Sequence, residues 1–218
     1  MANVAIQLIN PVAPALPVAP LDYARVYHDQ FNSILRLYFN KLDSTLSALL
    51  NESGGRYVSL PCGSFFSNTT VTFTANTATT LTLNNTDSNA TIATSLSNGA
   101  IQVLYPGVYN YQFSAQFDNS DSQDHDVEVW ARVNGVDVYE SATQLTVPSK
   151  HGSINGAAVA AWNFFLVAQE ANSTFDLAVA ALNTNVRLVA LPASSSPFVR
   201  PSIPSLISTV TFVSRLPA

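Results

Sequence analysis

Two hydrophobic periods divide the chain, and one gives way to the other near residue 54. Upstream, Phe31, Leu35, Tyr38, Leu42, Leu46 and Leu49 recur in steps of three and four, which predicts an α-helix over residues 21–53 with one apolar stripe. Asp22, just past Pro20, is the expected N-cap, and Gly54-Gly55 the expected stop. Ile34, Leu37, Phe39 and Leu50 widen the stripe until little of the circumference is purely polar. A helix of that kind needs contacts on more than one side. Its own β domain is expected to supply one side and copies of the same helix the rest, which makes it an oligomerisation segment.

From Tyr57 onward the period is two. Runs at residues 70–74 (TVTFT) and 80–83 (TLTL) alternate polar and apolar, as half-buried strands do. Similar runs follow at 108–117, 126–133, 144–147, 157–167, 174–181, 186–191 and 206–213. Pro106-Gly107, Asn134-Gly135, Asn155-Gly156 and the 194–204 loop punctuate them. Asn134-Gly135, between VEVWARV and VDVY, is the strongest hairpin signal. Many short strands with no interleaved helices predict a mainly β fold, an antiparallel jelly-roll β-sandwich over residues 54–218.

Residues 1–20 read as an arm. Pro11, Pro14, Pro17 and Pro20 stand at every third position, the repeat of a polyproline II helix, so all four share one face. Residues 11–20 in that conformation span roughly 30 Å. Only Val, Ala and Leu lie between the prolines. An uncharged apolar arm is unfavourable in water, so it is expected to anchor the chain by docking into a partner surface.

Composition sharpens this picture. Hydrophobic residues make up 47% of the 218, charged residues only 11%, against about 25% in ordinary globular proteins. A surface so poor in charge is covered by Ser, Thr, Asn and Gln or is buried against neighbours. With nine Lys and Arg and a net charge of −5, no basic stripe exists to neutralise phosphates, so nucleic acid is not an expected partner. No stretch approaches the ~20 apolar residues of a membrane span. The apolar start lacks basic residues and is interrupted by prolines, so no signal peptide is expected. Cys62 is the single cysteine and has no intrachain partner for a disulfide.

Candidate chemistry is sparse. His28, His125 and His151 have spacings that match no metal motif. Cys62 follows Pro61 between apolar runs and reads as an incidental thiol rather than a nucleophile paired with a histidine. Neither a phosphate-cradling glycine loop nor a Gly-x-Ser-x-Gly elbow occurs. No enzymatic activity and no cofactor are therefore expected. The concentrated polar segment is DNSDSQDHD, residues 118–126. Asp118, Asp121, Asp124 and Asp126 form a weak candidate cation site with oxygen ligands, or contain a carboxylate pair for glycoside cleavage. The simpler reading is a solvated loop between strands. Trp130 and Trp162 lie inside strand patterns and are expected to fill the sandwich or an interface between subunits, with a sugar-stacking platform as the alternative.

PGVYNYQFSAQF (106–117), VEVWARVNGVDV (127–138) and the closing IPSLISTVTFV resemble strands of tumour-necrosis-factor/complement-type jelly rolls. The NGVD…SAT…TVP…HG…NG…WNF pattern, with a Pro-rich loop before the final strand, is similar still more closely to small virion proteins of tailed bacteriophages. That likeness covers roughly residues 100–218, and the helix more loosely. It implies a compact homotrimer in the virion, as head fibre, capsid decoration or tail fibre tip. The arm would hold it to capsid or tail proteins. The alternatives are a receptor-binding tip that recognises a host surface glycan and, behind that, a polysaccharide hydrolase.

Overall fold

The computed structural model describes residues 14–18, 21–50, 61–87 and 94–216. The chain divides into two compact units, Met1–Ser59 and Leu60–Ala218.

Among the described residues the first unit contains one helix, α1 (Arg25–Leu50). It begins three residues after Asp22. The first helical bond runs from the His28 amide to the Ala24 carbonyl, so Ala24 holds the cap position and Asp22 does not. Rings pack around this first turn: the Tyr23 and His28 rings lie 4.9 Å apart, and Tyr27 stacks on Phe31 at 6.1 Å. Phe31, Leu35, Tyr38 and Leu42 are half-buried, whereas Leu46 is exposed, as are Leu37 and Phe39. The side chain of Leu49, and the Gly54-Gly55 stop, lie outside the described residues. Pro14 and Pro17 belong to an irregular segment in which the Tyr27 hydroxyl donates to the Pro17 carbonyl at 3.3 Å. Pro11 and Pro20 lie outside the described residues.

The second unit is a β-sandwich. Its strands are β1 (Cys62–Ser67), β2 (Val71–Thr72), β3 (Thr79–Leu81), β4 (Asn85–Thr86), β5 (Thr94–Ser97), β6 (Ala100–Val103), β7 (Gly107–Asn119), β8 (His125–Val133), β9 (Val136–Asp137), β10 (Thr143–Val147), β11 (Gly156–Ala168), β12 (Ser173–Ala181), β13 (Val186–Leu188) and β14 (Leu206–Ser214). One sheet has the order β2-β13-β7-β14-β1-β4, with β11 on the other side of β7. The second has the order β10-β8-β12-β6-β5, with β3 added to β12 and β9 to β8. All pairs are antiparallel, and the chain crosses repeatedly between the sheets, from β6 to β7 to β8 and from β10 to β11 to β12. This is the jelly roll expected from the period-two pattern.

Alternation places the core. Tyr109, Tyr111, Phe113, Ala115 and Phe117 of β7 face Phe175, Leu177 and Val179 of β12 and Val127, Val129 and Ala131 of β8, all buried. The Phe175 ring meets Tyr109 at 5.6 Å and Tyr111 at 6.3 Å, both edge-on, the geometry ring quadrupoles prefer. Both phenols find acceptors: Tyr109 donates to the Tyr105 carbonyl at 2.8 Å, and Tyr111 to Ser208 Oγ at 3.2 Å. Burial pushes the Tyr111 phenol far above its ordinary pKa, so it stays neutral.

The strands expected at 70–74 and 186–191 are shorter, Val71–Thr72 and Val186–Leu188. The hairpin at Asn134-Gly135 forms as expected. Both residues have positive φ, 52° and 75°, and Val133 pairs with Val136, as a type I′ turn requires. Two glycines here do different work. Gly135 has open space around it but needs positive φ, whereas a Cβ on Gly156 would overlap the Pro148 carbonyl oxygen. Gly135→Ala should therefore cost about 1 kcal/mol through backbone strain. Gly156→Ala should cost about 2–4 kcal/mol because a backbone segment must move. Urea unfolding followed by circular dichroism measures both, and equal losses would contradict the assignment.

Candidate interaction surfaces

Directly opposed residues in an antiparallel pair share a face, so the strand register sorts every side chain of the sandwich. Inward on β11 are Ala158, Ala160, Trp162, Phe164 and Leu166, opposite the core residues of β7. Outward are Ala157, Val159, Ala161, Asn163, Phe165 and Val167. The outward set continues through Val108, Asn110, Gln112, Ser114 and Gln116 of β7, then Ile207, Thr209 and Thr211 of β14, and Cys62, Ser64 and Phe66 of β1. Across these four strands no outward position is charged until Asp118. That charge is paired: Arg187 on β13 donates to both of its oxygens, at 2.9 and 2.5 Å, and Asn155 donates to Oδ2 at 2.9 Å.

The outer face of the other sheet is opposite in character. Asp126, Glu128 and Arg132 of β8, Asp137 of β9 and Asp176 of β12 all project from it. Two faces of one sandwich thus differ sharply in charge.

The free edge of β11 adds a second feature. Among the described residues this strand pairs only with β7, through thirteen residues in unbroken register from Gly156↔Asn119 to Ala168↔Gly107. Its sequence, GAAVAAWNFFLVA, has no charge, no proline and no bulge. Edge strands normally carry such devices to block pairing with other chains. Val159, Trp162 and Phe165 are 60%, 53% and 65% exposed. Trp162 is therefore not a core residue. Its register points it inward, opposite Phe113, but at the sheet edge the opposing layer leaves it half uncovered. Trp130 is not in the core either. It lies outward on β8 beside Ala178, and its indole N–H donates to Asp137 Oδ1 at 2.7 Å.

The four aspartates of residues 118–126 are not brought together around a common point. Asp118 serves Arg187 and Asn155. Asp121 lies 2.8 Å from His125 Nε2 and accepts from the Ser122 amide at 2.6 Å and Asn185 at 3.4 Å. Asp124 accepts from the Ser149 amide at 2.7 Å, and Asp126 from Thr146 and Gln144 at 2.6 and 3.0 Å. Each carboxylate fastens a different neighbouring segment, and no group of three or more potential metal ligands gathers among the described residues. In this arrangement the four carboxylates act as separate clasps between segments rather than as one cluster. His151 sits in a tight turn bridged to Ile154, and His28 belongs to the helical unit.

No family model matches the chain, and no curated protein matches it in sequence. Among solved structures it is similar to the Eiger TNF of S. frugiperda, at 13% identity, with 73% of this chain and 96% of that one covered and a TM-score of 0.47.

Hydrogen bonds hold two of the clasps below the usual carboxylate range. For Asp121 the main cause is His125, then the Ser122 amide; for Asp124 it is the Ser149 amide. A carboxylate whose folded pKa is depressed stabilises the fold above its unfolded value of about 3.9 and loses that contribution as pH falls through the folded value. Melting temperature should therefore drop below about pH 4, and the Asp121→Asn, Asp124→Asn double variant should show a shallower drop. Identical pH profiles for the two proteins would refute the clasp role.

Proposed function

We propose that the chain is a non-enzymatic structural subunit that acts by assembling with copies of itself. The observation that carries this reading is β11, a thirteen-residue uncharged edge strand beside a sheet face without unpaired charge. Large apolar side chains on that strand favour burial. The edge and the face are different patches, so a contact between them is heterologous, and such contacts form a closed ring where the rotation between copies closes and an open filament where it does not. The likeness of residues 100–218 to small phage virion proteins implies three copies and a place on the particle as head fibre or capsid decoration. In that setting residues 1–20 anchor the trimer, and the charged β8 sheet faces outward.

The first test is mass. Sedimentation equilibrium of the full chain at low micromolar concentration should give three times 23.3 kDa, and Phe165→Glu should shift the population to folded monomer. A wild-type chain that sediments as a well-behaved monomer sinks the proposal. The virion setting has its own test: deletion of residues 1–20 should leave the trimer intact while abolishing its incorporation into particles, read by electron microscopy of purified virions.

A further inference from the structure

On the outer face of the β8 sheet a hollow of about 300 Å³ is lined by Glu128, Trp130, Asp137, Val138, Glu140 and Ala142. Ala142 is the small residue of its lining, and across the strand pair Ala178 lies directly opposite Trp130 and Ala180 opposite Glu128. The ring is held from behind. Its N–H is fixed by Asp137, whose Oδ1 lies 3.2 Å from Arg132 Nε. Arg132 is itself committed, donating to Thr80 Oγ1 at 2.7 Å and to the Gly135 carbonyl at 3.0 Å. Its Nε lacks hydrogen-bond alignment with Asp137, and beside it Asp176, 8% exposed, has an Oδ1 with no hydrogen-bond partner. Burial raises the pKa of Asp176, against the opposing pull of Arg132.

Two carboxylates remain. Neither Glu128 nor Glu140 has a hydrogen-bond or ion-pair partner among the described residues. In a chain with 11% charged residues, Glu128, Asp137 and Glu140 line the hollow with one tryptophan, and Arg132 beside Asp137 is the only countercharge in the group. An exposed indole face attracts cations through its quadrupole, and free carboxylates beside it add charge-assisted hydrogen bonds. A neutral sugar would use the ring but leave the surplus negative charge uncompensated.

We propose that this hollow binds an alkylammonium group, presented by an amino sugar or by a lysine side chain. The inference concerns a face distinct from the uncharged one and does not depend on self-assembly. The test follows the Trp130 indole N–H resonance of the ¹⁵N-labelled full chain, assigned by its loss in Trp130→Phe. Glucosamine and Nα-acetyl-lysine amide are the cationic probes, with glucose and N-acetylglucosamine as neutral ones. At least one amine should shift the resonance saturably. The shift should weaken with added salt and by about tenfold in affinity in the Glu128→Gln, Glu140→Gln double variant, whose melting temperature stays unchanged. A response to glucosamine alone or to the lysine amide alone upholds the site and names its source. Equal responses to the neutral sugars, no response to either amine, or an undiminished response in the double variant overturns it.

Discussion

Strand β7 is the member on which the rest of the head depends. It hydrogen-bonds to β11 along thirteen residues on one side, and to β14 and then β13 on the other. Its inward side chains supply Tyr109, Tyr111, Phe113 and Phe117 to the core. Each large side chain fully buried contributes about 1.5–3 kcal/mol, offset in large part by lost conformational entropy. Because alternation is strict, a slip of one residue would exchange this aromatic row for Asn110, Gln112 and Gln116. Register at β7 therefore decides both what fills the interior and what the outer face presents.

That same alternation makes the two outer faces unlike. On the β7 side the outward positions are amides, hydroxyls and aliphatics, continuing into the exposed Val159 and Phe165. On the β8 side they are carboxylates, an arginine and a tryptophan. Burying an unpaired charge is costly, whereas burying amides and aliphatics is not, provided the amides find partners. The first surface is chemically suited to contact with protein, the second to contact with water and small polar ligands.

Much of this was legible in the residues, but unevenly. Long strands with bulky alternating residues, such as β7, β8 and β12, could be read to within one or two positions. Strands β1, β4 and β5 (CGSFFS, NT, TSLS) could not, because small polar residues give no periodic signal and only their partners make them strands. Asp22 has the right chemistry for a cap, yet the first helical bond runs from His28 to the Ala24 carbonyl, two residues further on. The aspartates of residues 118–126 illustrate another limit: spacing in sequence cannot reveal that each turns to a separate partner up to sixty-nine residues away, as Asp118 does to Arg187. The surface role of Trp162 was concealed because β11 is apolar on both faces, which ordinarily marks a central strand rather than an edge.

Finally, β1 pairs with β14 from Cys62↔Thr211 to Ser67↔Leu206, so the opening and closing strands of the sandwich are neighbours. A nascent chain cannot complete the β7 sheet until residues 206–214 have left the ribosome. Until then β1 has only the short β4 beside it, and most of one flank of β7 lies open to water. Folding of the head thus has high contact order and is slow by its topology. A chain cut short before residue 206 would carry an open sheet prone to aggregation, rather than being a slightly shortened subunit.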